Sequence, residues 1–266
     1  MPAIRPEILR RQSALLADEF YQPEVYLRSL HHLLDQYANR AYRSGQVGKP
    51  KPLLETYDVP LPVLRQLLLD LEPRARQAPE AALALSKELW DESYLETRWL
   101  AAGLLGKIPI RSEQILNQLK SFLKTAINDR VISTLFDQGL VWLRNSHPET
   151  IIEQAQEWLT SSEASEQALG LRILLPLAGD PRYENLPVLF KLLAPLCCEA
   201  PSLVRPDLVD VIETLARRSP RETAFFLRES LGFGACTTTA WLMRQVLPVF
   251  PADIQASLRE SLRQLM

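Results

Sequence analysis

The sequence predicts an all-α chain, an α-solenoid or superhelix of stacked antiparallel helix pairs, and three observations support that expectation. Hardly any segment shows the strict apolar/polar alternation of a half-buried strand. Nine Gly stand against twenty Pro, a balance that suits helices punctuated by proline. Start and stop signals recur along the whole chain and mark roughly a dozen or more helices of about ten to eighteen residues.

Helix starts are read at Ser146-His147-Pro148-Glu149 and Ser219-Pro220-Arg221-Glu222, where an N-cap Ser, an early proline and a Glu coincide. Pro79, Pro181 and Pro251 mark further starts, and Gly106, Gly179 and Gly232 mark stops. Helix pairs recur at roughly 30 to 45 residues, the period of HEAT-like units that bury their apolar faces only against a neighbour. A compact, non-repetitive helical bundle is the alternative. The chain is expected to form one domain over residues 1–266, with an N-terminal helical cap at 1–44. A loop is expected at 45–58, in SGQVGKPKPLLETYD from Ser44 to Asp58, the longest stretch without helical period.

The stretch KELWDESYLETRWLAAGLLGKIP, Lys87 to Pro109, predicts a tight αα-hairpin. Ala82, Leu85 and Leu89 share one stripe of the incoming helix. Ser93 and Glu96 have the spacing of a capping box for the outgoing one, on which Leu95, Trp99, Ala102 and Gly106 line one side.

Composition narrows the function classes. Hydrophobic residues make up 47% of 266, enough for a substantial core. Lys and Arg number 30 against 32 Asp and Glu, so any polyanion site must be a local patch. Three Cys suggest reduced thiols rather than a disulfide framework. No segment has the order of a signal peptide and no apolar run approaches about 18 residues, so a soluble, cytoplasmic protein without membrane partners is expected. His31, His32 and His147 lack metal-ligand spacing, and no GxSxG, P-loop or GxGxxG occurs. No metal site is expected.

Four places carry candidate chemistry. Arg172 is the only charge within ALGLRILLPLA, so it must meet a carboxylate, reach water or face a cleft. Asn128-Asp129-Arg130 opens a helix and is followed by Asp137, Trp142 and Arg144, an aromatic, acidic and basic set that suits either a base-reading cleft or an ordinary core with solvated charges. Trp158 is read with Trp142 as core. Arg217, Arg218 and Arg221 form the densest basic cluster, placed either to complement a helix dipole or to hold phosphate.

LWDESYLETRWLAAGLL, Leu89 to Leu105, resembles the "LW, short polar turn, E-x-R, then small and apolar residues" signature of the AlkD-like DNA alkylation-repair family of HEAT-repeat DNA glycosylases. YDVPLPVLRQL, Tyr57 to Leu67, is similar to that family's "G-V-x-x-P-x-L-R" helix entry, with Asp58 where Gly is usual. HPETIIEQAQEWLTSS, His147 to Ser162, resembles its "HPE" helix ending in Trp. The resemblance covers about residues 20 to 180 and implies a concave, locally basic face for duplex DNA, with no cofactor. In active members a Trp, an Asp and an Arg surround the alkylated nucleotide, and the carboxylate stabilises the sugar cation. Here Asn128 stands at the aromatic position, Ile132 at the Asp position and Ala168 near the Arg position. Asp129 and Arg172 are the nearby catalytic substitutes, and Arg130, Trp142, Arg144, Arg217, Arg218 and Arg221 the candidate nucleic-acid contacts. A HEAT-like protein-protein scaffold without enzymatic activity is the competing expectation.

Overall fold

The computed structural model describes residues 5–39, 54–126, 128–232 and 237–264, which include only residues 54–58 of the expected loop. Among the described residues every α-element is a helix, and the β-type pairing is one parallel bridge between Glu55 and Tyr94. No described helix is long and apolar enough to cross a membrane. The chain divides into two compact units, Met1–His147 and Pro148–Met266.

The first unit contains α1 (Pro6–Asp18), α2 (Pro23–Tyr37), α3 (Leu61–Gln77), α4 (Pro79–Asp91), α5 (Leu95–Leu105), α6 (Ser112–Thr125), α7 (Asp129–Gly139) and the short α8 (Val141–Ser146). One row is α1, α3, α5 and α7, each packed on the next. A second row covers it, with α2 on α1, α4 on both α3 and α5, and α6 on α7. The second unit contains α9 (Pro148–Leu159), α10 (Ala164–Gly179), α11 (Leu186–Cys198), α12 (Arg205–Arg218), α13 (Pro220–Gly232), α14 (Thr237–Val246) and α15 (Ala252–Arg263), with one 3₁₀ turn at Leu247–Val249. There α10, α12 and α14 form one row, and α11, α13 and α15 the other. Stacked helix pairs of the HEAT-like solenoid type therefore build both units.

Proline explains most of the helix starts. It occupies the first or second position of α1, α2, α3, α4, α11 and α12, where its missing N–H has no intrahelical role. Gly106 follows α5, and Gly179 and Gly232 end α10 and α13, as the stop signals predict. Pro181 corrects one expectation, because it sits in a turn whose Asp180 carboxylate binds Arg182, and α11 begins only at Leu186. Ser146 corrects another: it is the last residue of α8, and α9 begins after His147.

The hairpin at Ser93 forms, but not through the predicted capping box. Glu55 N–H donates to the Ser93 carbonyl at 3.0 Å, and Leu95 N–H donates to the Glu55 carbonyl at 2.9 Å. This bridge shifts the helix start to Leu95 and leaves Tyr94 at the N-cap without a side-chain cap bond. Glu96 is freed to reach across the chain, where its Oε1 accepts from Thr56 Oγ1 at 2.8 Å and Val59 N–H at 3.4 Å. The stripe assigned to α5 also changes. Its buried residues run from Glu96 and Thr97 through Leu100 to Leu105, because α3, α4 and α7 enclose it, while Leu95 and Trp99 are only half-buried. On α4, Ala82, Leu85 and Leu89 are fully buried as predicted.

Asp58 has φ of 55°, in the left-handed region that disfavours a Cβ. That is the position where the resembling family usually has Gly, so the departure carries backbone strain. Thr56 Oγ1, accepting from Asp58 N–H at 3.0 Å, helps to hold the turn. Asp58→Val is expected to cost about 1–2 kcal/mol, whereas Asp58→Gly shifts stability by less than about 0.5 kcal/mol or raises it; urea unfolding midpoints distinguish the two.

Gly106 is required by close approach. A Cβ built there would lie 1.8 Å from the Gln138 carbonyl oxygen of α7, and the Gly106 carbonyl itself accepts from Trp142 N–H at 3.1 Å. Gly106→Ala must push α5 and α7 apart and is expected to lower stability by about 2–3 kcal/mol, read from the same unfolding curves.

Candidate functional site

The motif residues around the Leu89–Leu105 hairpin serve packing. Trp90 stacks on Phe122 of α6 with ring centroids 4.3 Å apart, and its Nε1 donates to Thr125 Oγ1 at 2.9 Å. The Arg98 guanidinium lies 5.2 Å from the Trp90 ring, and its Nη1 donates to the Thr125 carbonyl at the end of α6 at 3.0 Å. A cation there suits the negative end of the helix. Burial lowers the Arg98 pKa from its ordinary value, with Asp91 opposing.

A second cluster fastens the segment before α3 to this hairpin. Tyr57 and Tyr94 stack at 4.7 Å, and His31 of α2 meets the Tyr57 hydroxyl at 3.0 Å through Nδ1 and Glu92 Oε2 at 3.3 Å through Nε2. Burial, followed by the Tyr94 hydrogen bond, raises the Tyr57 phenol above its ordinary pKa.

The start of α7 carries the residues that the resemblance singles out. Asn128 is the N-cap, and its Oδ1 accepts from Arg130 N–H at 2.8 Å. Asp129 and Arg130 are exposed in the first turn, Val131, Leu135 and Phe136 are buried, and Ile132 is half-buried. Trp142 and Arg130 line different pockets. Trp142 stands with Arg111, Gln114 and His147 in an open depression, its ring 5.4 Å from the His147 ring, whereas Arg130 lines a cavity described below. Arg144 turns back on α7, donating from Nη2 to the Asp137 carbonyl at 3.3 Å. Trp158, in the second unit, is buried, in keeping with its assignment to the core.

Also in the second unit, Arg172 Nε meets Asp207 Oδ1 of α12 at 2.8 Å, so the buried run of α10 places its cation on a carboxylate. Burial, with Asp207 and Glu213 reinforcing it, raises the nearby Asp210 carboxyl pKa, against the pull of Arg172 and Arg217. Arg217 pairs with Glu213 one turn earlier at 2.6 Å. Arg218 serves a neighbouring helix rather than its own: it donates to the Ala178 carbonyl at 3.0 Å, to the Leu177 carbonyl at 3.5 Å and to the Tyr183 carbonyl, closing the end of α10. Arg221 is exposed in the first turn of α13, and Ala168 is buried.

One arrangement escapes sequence reasoning. The N-terminal ends of α3, α5 and α7 surround a cavity of about 360 Å³ whose walls include Glu96, Trp99, Arg130 and Asp58. Glu96 is only 4% exposed, and its Oε2 has no hydrogen-bond partner among the described residues. A Glu in the first turn of a helix reads as a cap, which hides this placement. The available signal is that Glu96 and Trp99, three residues apart, share one helix face.

The profile of the family described as DNA alkylation repair enzyme matches residues 33–244. No curated protein matches the chain.

The pair between α10 and α12 is testable by itself. A double-mutant cycle of Arg172→Met and Asp207→Asn is expected to give a coupling of about 1 kcal/mol in unfolding free energy, since both side chains are only partly shielded from water.

Proposed function

Because that match spans most of its length, the chain belongs to the DNA alkylation repair enzyme family, and from this membership we propose that it binds duplex DNA without an effective glycosylase centre. The observation that carries the proposal is the start of α7. Asn128, at the position of the family's aromatic residue, spends its side-chain oxygen on the helix cap, and Ile132, at the position of the catalytic carboxylate, is aliphatic. Cleaving an N-glycosidic bond builds positive charge on the sugar, which a carboxylate stabilises only from within a few ångströms. Asp129 and Arg172 are the candidate substitutes, and the Nε of Arg172 already serves Asp207.

DNA binding needs less than catalysis does. Arg130 and Arg221 are exposed cations, and Arg217 keeps 61% of its side chain in solvent while paired. Each such cation that neutralises a phosphate releases a counterion, so binding to duplex must weaken steeply with salt. Arg144 and Trp142 in the first unit and Arg218 in the second remain candidate contacts, the two arginines through the carbonyls they already hold. Neither metal nor cofactor enters this proposal.

A protein-binding scaffold is the second reading, and one observation favours it. The formal charge is −2, and Ile8 and Leu15 of α1 and Leu69 of α3 are 46%, 60% and 60% exposed on two helices that pack together. Exposed apolar side chains on adjacent helices suit a protein partner better than a phosphate backbone.

Fluorescence anisotropy with a labelled duplex tests the proposal. Affinity is expected to fall at least tenfold between about 50 and 200 mM salt, and Arg130→Ala or Arg221→Ala should each flatten the log–log salt slope by about 1. On a duplex carrying 7-methylguanine, abasic-site formation should stay at the uncatalysed rate. Base release that disappears in Asp129→Asn or Arg172→Ala would overturn the inactive assignment. Absence of duplex binding at about 50 mM salt selects the scaffold.

A further inference from the structure

We infer that the open depression at the N-terminal ends of α4 and α6, beside α8, docks a proline-rich peptide of a protein partner, a polyproline-II segment bearing one basic and one acidic side chain. Its lining residues all belong to the first unit. The depression has a volume of about 520 Å³, within the range of ligand sites, and Pro79, Pro109, Ile110 and Trp142 supply its apolar surface. Trp142 is half-buried, and its indole N–H has no hydrogen-bond partner among the described residues. These walls select the conformation of the ligand. An open site makes few contacts, so a segment already ordered before binding loses least on docking. Polyproline II is such a conformation, and its carbonyls make no internal hydrogen bonds. A proline ring packs on the indole face while the indole N–H donates to a peptide carbonyl.

Charge sets the sequence of the ligand. Arg111 Nε donates to Gln114 Oε1 at 3.3 Å, and Gln114 Nε2 donates to Glu80 Oε1 at 3.3 Å. This row has a cation at one end and a carboxylate at the other, with one glutamine between them. Arg111 and Glu80 are both exposed, and the Arg111 Nη groups and Glu80 Oε2 lie outside these bonds. A ligand of a single sign meets its own charge at one end, so a nucleic-acid strand fits this row worse than a peptide of mixed charge. Polyproline II rises about 3.1 Å per residue with three residues per turn, so side chains three positions apart stand about 9 Å apart on one face. A glutamine held by a hydrogen bond at each end spans a comparable length.

The probes are the capped peptide Pro-Lys-Pro-Pro-Glu-Pro and its reversed sequence, titrated into the full chain. Binding is followed by the indole ¹H–¹⁵N resonance of Trp142, assigned from its loss in Trp142→Leu. The expected result is saturable 1:1 binding of at least one peptide that moves this resonance. Its analogue with alanine for every proline should bind at least about fivefold more weakly, and Trp142→Leu should weaken binding at least about tenfold by calorimetry. Glu80→Lys should weaken binding about two- to fivefold, the range of an exposed ion pair, and a Glu in place of the peptide's Lys should restore it. Glu80 is exposed, so this reversal still tests the inference should Trp142→Leu fail to fold. The inference is overturned if neither peptide saturates at a few millimolar, about the weakest specific range. Equal affinity for the alanine analogue, or unchanged affinities in Glu80→Lys, overturns it as well. An oligothymidylate that moves the Trp142 resonance and displaces the peptide also overturns it, assigning the depression to nucleic acid. Duplex anisotropy on the same samples reports separately, so a failure of duplex binding leaves the peptide result interpretable.

Discussion

The packing of the first unit depends on one interaction, the Arg98 guanidinium held between the Trp90 ring and the terminal carbonyl of α6. Trp90 is 2% exposed and joins α4 to α6 through Phe122, while Arg98 belongs to α5. Three helices thus meet at one planar cation. Its neighbours in sequence extend the arrangement, since Glu96, two residues earlier, fastens Thr56 and Val59 and so sets where α3 begins. An arginine suits this role better than a lysine because its flat, weakly hydrated group can stack and donate in different directions at once.

The same device recurs in the second unit, where Arg218 of α12 closes the end of α10 and Arg172 of α10 meets Asp207 of α12. Both units are therefore cross-linked by guanidinium groups reaching from one helix to the next. Carbonyls at helix ends have no intrahelical donor, and a solenoid made of many short helices has many such ends. Arginines engaged in this way are costly to lose structurally and contribute little field for attracting a polyanion. Packing of this kind gives the residues of the Leu89–Leu105 hairpin a structural role of their own.

Much of the architecture was legible locally. Proline at the first turn, glycine at the last and the apolar stripe of Ala82, Leu85 and Leu89 identify helices because these effects act within one turn of backbone. The start of α7 at Asn128-Asp129-Arg130 was legible for the same reason, and the structure adds that Asn128 caps it. Errors arose where a distant segment competed for a local group. Ser93 and Glu96 have capping-box spacing, but Glu55 takes the Ser93 carbonyl and Thr56 takes the Glu96 carboxylate. Pro181 is a different case, since its neighbours Asp180 and Arg182, two residues apart, bind each other and hold a turn where the proline has the composition of a helix start.

By itself the sequence determined the all-α class, the helix-pair rhythm and the family, since each of these is written in residue type and short-range spacing. Tertiary structure alone decided that Arg172 meets Asp207, that Arg218 serves another helix, and that Glu96, Trp99 and Arg130 share a cavity. The physical reason is separation along the chain: a guanidinium finds its partner on a neighbouring helix 35 or 40 residues away, and that neighbour is fixed only when apolar faces have packed.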